Sequence, residues 1–215
     1  MKLLAAIFNK KVPASTTLNK DNIKKKMMEK DPEYRETVET LAWQDHLIAV
    51  VQNAREQYEK DKNIDELIKT YEYVLLEAEP PIENMQGLPL ALAELYRKNN
   101  QNDKAWGYLN RLLLTKPDLI GKIRFEQCKI LKSEKKYTEA MKMLMCGYLF
   151  KSKWNQTFQR EMFVREATPI ANRLKWDTKK IEYLVHLIEC QVDRKDYDEG
   201  LLIENYKKAL EQFEK

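Results

Sequence analysis

Between residues 48 and 154 the chain repeats one pattern three times: an amphipathic helix, a short polar turn, a second amphipathic helix and a stop. The middle copy is the clearest. Apolar spacing predicts a helix over 88–98, a turn at Asn99-Asn100-Gln101-Asn102, a helix over 103–115 and a stop at Lys116-Pro117. The copy after it predicts helices over 122–133 and 137–150, joined by Glu134-Lys135-Lys136. The copy before it ends in a helix over 64–78, closed by Pro80-Pro81. A chain built this way folds as stacked helical pairs, because one pair alone cannot bury its apolar faces.

The flanks are helical too. Asp31-Pro32-Glu33 combines a capping carboxylate, a first-position proline and an acid in the first turn. Tyr34, Val38, Leu41, Ile48, Val51, Ala54 and Tyr58 then mark one face, as a single long helix or two joined near residues 43–45. Past residue 155 the period is lost. Thr168-Pro169 and Asp177-Thr178 read as helix starts, and Asp193-Arg194-Lys195-Asp196 as a turn. About four helices are expected there, as a cap. The organisation expected is a basic arm over 1–30, a repeat array over 31–154 and a helical cap over 155–215, with residues 20–47 capping the other end.

The repeats resemble the tetratricopeptide repeat family. Pro89, Leu92, Ala93, Tyr96, Ala105, Leu109, Leu112 and Pro117 match its order of large, small, aromatic and proline positions. Val51, Ala54, Tyr58, Leu67, Tyr71 and Val74 form an earlier copy, and Cys128, Leu131, Tyr137, Ala140 and Leu144 a later one. Leu67, Ala105 and Ala140, where the second helix meets the first, are 38 and 35 residues apart, against a family period of about 34. Four positions depart from the pattern, Arg55, Leu67, Arg124 and Gln127, and the third copy has no terminal proline. The resemblance implies an all-α fold, a right-handed α-solenoid of such hairpins with extra capping helices at both ends.

It also implies a concave groove lined by the first helix of each hairpin. The inward positions would be Gln52, Glu56 and Glu59, then Leu90, Glu94 and Arg97, then Lys122, Phe125, Lys129 and Lys132. Such a groove would run from acidic to basic, with Leu90 and Phe125 as apolar anchors. The family's clamp for a terminal carboxylate is not expected. Its places hold Gln52, Glu56, Ala91, Lys122 and Glu126, and of these only Lys122 suits it.

Catalytic and cofactor chemistry has little footing. The chain has five glycines in 215 residues, the closest two 14 apart, so no glycine-rich phosphate loop can form. His46 and His186 stand 140 positions apart and no Cys-x-x-Cys occurs, so neither zinc spacing exists. No Gly-x-Ser-x-Gly is present, and the cysteines fall on apolar helix faces. Trp43, Trp106, Trp154 and Trp176 are expected to fill the core. The expectation is no enzyme, no catalytic residue, no cofactor and no metal.

Charge and targeting point the same way. Residues 1–30 carry eight lysines against Asp21 and Glu29, net +6, so the rest holds −2 of the chain's +4. The apolar run at residues 3–8 is shorter than the roughly 7–15 residues of a signal core, and nothing approaches the roughly 18 of a membrane span. Three cysteines, an odd count, suggest reduced thiols and a cytoplasmic protein. The favoured reading is a protein-binding scaffold that holds a peptide segment or helix of a partner protein. Two others stay open: a helical adaptor docked on a membrane surface or nucleic acid by its lysine-rich arm, and an intracellular peptide sensor. Only Phe8 interrupts those lysines, so nucleic acid is disfavoured. Pairing of the outermost helices into a homodimer also stays open.

Overall fold

Asp31 opens the first long helix as its chemistry suggests. Its Oδ1 accepts hydrogen bonds from the backbone N–H groups of Glu33 and Tyr34, both at 3.1 Å, with Pro32 at the first helical position. The helix, α1 (Pro32–Asp61), runs 30 residues without a break, so residues 43–45 are not a joint. The computed structural model describes residues 24–25, 27–77, 87–155 and 157–213. The basic arm as far as residue 23, and the Pro80-Pro81 stop, lie outside the described residues. After α1 come α2 (Ile64–Glu77), α3 (Leu88–Lys98), α4 (Asn102–Thr115), a 3-10 turn (Pro117–Leu119), α5 (Ile120–Ser133), α6 (Tyr137–Asn155), α7 (Arg160–Arg173), α8 (Thr178–Asp193) and α9 (Glu199–Phe213). The fold is all-helical, with no strand among the described residues.

The turns repeat as regularly as the helices. Asn100, Lys135, Lys175 and Lys195 each end a helix at positive φ, between 55° and 61°. In each case the next residue's N–H reaches back to the last turn: Gln101 to Tyr96, Lys136 to Leu131, Trp176 to Ala171 and Asp196 to Gln191, at 2.8–2.9 Å. This closure satisfies carbonyls the helix leaves open, and glycine usually supplies its left-handed residue. Here asparagine and lysine do so, which is how so few glycines suffice.

Each helix packs on its neighbour in sequence from α1 to α9, and α6 also meets α8 and α9. Leu92, Ala93, Tyr96, Ala105, Leu109 and Leu112 of the middle copy are all buried, as are Leu67, Tyr71 and Val74 before it and Cys128, Leu131, Ala140 and Leu144 after it. Burying each large aliphatic side chain contributes about 1.5–3 kcal/mol. Two apolar cores result. One gathers α1 to α5, the other α5 to α9, and α5 serves both: Ile123 and Ile130 point into the first, Cys128 and Leu131 into the second. With two faces committed, α5 has one stripe left over.

Three details correct the sequence reading. Among the described residues the C-terminal region holds three helices after α6, not about four. Thr168-Pro169 lies inside α7 rather than at its start. A proline there removes one helical hydrogen bond, but Phe163, Ala167, Ile170 and Ala171 are buried on both sides of it and hold the helix in place. Thr168 Oγ1 also bonds the Val164 carbonyl at 2.7 Å. Finally, Trp106 and Trp176 pack against the cores, whereas Trp43 and Trp154 are exposed, Trp154 at 67%.

Candidate functional site

The remaining stripe of α5 faces the outer side of α3, and the two helices touch. On α3, Leu88, Leu92, Ala93, Leu95 and Tyr96 are buried, which turns Leu90, Ala91, Glu94 and Arg97 outward as half-buried residues. Between the helices lies an open cavity of about 410 Å³ lined by Gly87, Leu90, Ala91, Glu94, Lys122, Phe125, Glu126 and Lys129. It meets a second, of about 380 Å³, at Phe125 and Lys129. There Cys128 and Lys132 of α5 face Leu144 of α6 and Arg165, Glu166, Pro169 and Ile170 of α7. Together they form a groove with an apolar floor and a charged rim.

Phe125 is the hinge between the two cavities, and Gly147 makes room for it. A Cβ at Gly147 would sit 2.6 Å from Phe125 Cε1. The ring also meets Tyr148 edge-on, centroids 5.3 Å apart. Phe125 is therefore held by the core on one side and offered to the groove on the other.

The acids of the groove are already engaged. Lys98 Nζ lies 2.9 Å from Glu94 and Arg97 Nη2 lies 4.0 Å away. The Lys98 hydrogen bond holds the Glu94 carboxyl below its usual range despite partial burial. Glu126 contacts Lys129 and, at 3.5 Å, Arg97. The Arg97 Nε and Glu126 Oε2 atoms are buried and make no hydrogen bond among the described residues. Among those same residues Lys122, Lys132 and Arg165 have no carboxylate within 4.0 Å.

Of the residues expected from the sequence, Leu90, Glu94, Lys122, Phe125 and Lys129 come together in one cavity, Arg97 pairs across it, and Lys132 lines its continuation. Gln52 and Glu56 lie exposed on α1 and do not line it, and Glu59 pairs with Lys62 at 2.7 Å. The reason is packing: α1 rests on α2, which stands between it and α3. Sequence reasoning missed Leu144, Arg165 and Ile170, because only the fold brings α6 and α7 beside α5. For Arg165 and Ile170 no periodic signal pointed there.

Elsewhere the chemistry is sparse. No three His, Cys, Asp or Glu side chains among the described residues cluster as a metal site would need. Burial pushes the Cys128 thiol up to about 12 and raises that of Cys146 as well, so neither is a nucleophile near neutrality. His46 stacks on Trp43, and His186 lies 3.3 Å from Cys190 Sγ. No helix among the described residues is long and apolar enough to cross a membrane. In comparisons with protein-family models, with curated proteins and with solved structures, nothing matches this chain.

Proposed function

We propose that this chain is a non-catalytic scaffold: a right-handed solenoid of tetratricopeptide-like hairpins, capped at both ends, that holds a segment of a partner protein in the groove between α3 and α5. We place it in the cytoplasm on its odd count of cysteines. One observation carries the reading. Five of the residues that the repeat resemblance assigns to a groove, from helices about one repeat apart, line a single open cavity. Its apolar floor and charged rim suit an extended peptide or an amphipathic helix, whose alternate side chains fill pockets while polar groups set the register.

The test is selection from a random peptide display library on the full chain. Peptides that bind the wild type and lose at least tenfold with Leu90→Asp support the groove. Leu90 packs against the first core as Phe125 does against the second, so circular dichroism first shows that Leu90→Asp is folded; Phe125 is avoided because Gly147 and Tyr148 also enclose its ring. Glu204→Lys, on the exposed side of α9, serves as the control. Selected peptides that bind Leu90→Asp as well as wild type would contradict the reading.

A further inference from the structure

We infer that the occupant of this groove is an acidic segment, its carboxylates spread along its length; this rests on reading the groove as a peptide site. The geometry begins with α5. Lys122, Phe125, Lys129 and Lys132 recur at spacings of three, four and three, which puts them on one stripe. From Lys122 to Lys132 that stripe covers about 15 Å, at 1.5 Å per residue. An extended peptide spans it with about five residues. The two cavities joined at Phe125 and Lys129 supply the depth, with Leu90, Phe125 and Leu144 as floor.

Charge decides what can lie there. Glu94 and Glu126 are neutralised by Lys98, Arg97 and Lys129. Glu166, next to Arg165, accepts a hydrogen bond from Tyr148 at 3.1 Å. That bond leaves the Glu166 charge in place, so what faces a ligand is Lys122, Lys132 and Arg165 against this one carboxylate, a positive balance. Covering the floor strips water from these cations, which is costly unless each gains a partner. A neutral or basic occupant would leave them unpaired. An acidic one pairs each of them and is also drawn in faster. The cations are strung out, Lys122 on one cavity and Lys132 with Arg165 on the next, so they match side-chain carboxylates in series rather than one terminal carboxylate. A nucleic acid strand would need a run of stacking surfaces, and these two cavities offer a single ring among the described residues, Phe125.

The experiment uses fluorescence anisotropy with the full chain. Three peptides blocked at both ends share the same leucines and carry Glu, Gln or Lys between them. The Glu peptide is expected to bind at least tenfold tighter than the Gln peptide, to weaken as salt rises, and to lose about tenfold with Lys132→Gln or Arg165→Gln. Equal binding of the Glu and Gln peptides, all lost with Leu90→Asp, overturns the acidic occupant and leaves the groove standing. Acidic binding untouched by Leu90→Asp overturns both. Failure of the Glu peptide, while display-selected peptides still bind and depend on Leu90, overturns the acidic occupant alone.

Discussion

The guanidinium of Arg124 on α5 grips the carboxylate of Glu199 on α9, 75 positions away, with Nε 2.5 Å from Oε1 and Nη2 2.7 Å from Oε2. Its Nη1 donates to Gln127 at 2.7 Å, and Gln127 donates to Asn110 of α4 at 3.0 Å. The two polar departures of the third copy, Arg124 and Gln127, are thus explained: they form a polar path tying the last helix to the middle of the fold.

That pair is mostly buried, with Arg124 and Glu199 side chains 17% and 21% exposed. Removing one partner strands the other charge, so Arg124→Ala should cost about 2–3 kcal/mol in urea unfolding, somewhat below the range for fully buried pairs. Replacing both by methionine should recover most of that loss, since neither charge is then stranded. A double variant as unstable as the sum of the singles would refute this.

Gly147 is needed for space, not for its backbone. Gly147→Ala drives a methyl into the Phe125 ring. It should destabilise by about 1–3 kcal/mol even though alanine favours the helix. Because the ring lines the groove, affinity for selected peptides should fall as well. Calorimetry on the folded variant checks both.

Lys135 holds a left-handed conformation, φ 61°, that side chains resist. Lys135→Gly should raise stability by about 1 kcal/mol, read as a shift in the denaturation midpoint with an unchanged slope.

Tyr206 gives a pH signature. It is 2% exposed and donates to the Thr138 carbonyl at 2.8 Å. Burial, aided by Glu139, pushes its phenol well above the ordinary range. The unfolded phenol ionises near pH 10 while the folded one stays neutral, so its contribution is whole below about pH 10 and drains away above it. Tyr206→Phe should lose about 1 kcal/mol at pH 8. It should also show a shallower decline from pH 10 to 11 than wild type in the same unfolding assay.

In the middle copy, helix positions and buried residues could be read directly from the sequence, because Leu92, Ala93, Tyr96, Ala105 and Leu109 follow a period that burial alone explains. Half of the groove was readable for the same reason: positions left over by packing on α3 and α5 fall into register. The other half was not. Arg165 and Ile170 sit on α7, which leaves the period, and reach the groove only through contacts far apart in sequence. Pro169 misled as a helix start because a local rule favours it there, while tertiary packing of Phe163 and Ile170 overrode that rule. The charge gradient expected along the groove gave way to pairing, since Arg97 and Lys129 reach Glu126 only when α3 and α5 lie side by side.

The most direct measurement is amide hydrogen exchange of the full chain, alone and saturated with a display-selected peptide. Binding in the groove predicts slowed exchange in residues 87–97 and 120–133, extending to 165–170, with α1 and α8 unchanged. Slowing confined to α1, α8 or α9, with α3 and α5 unaltered, would contradict it.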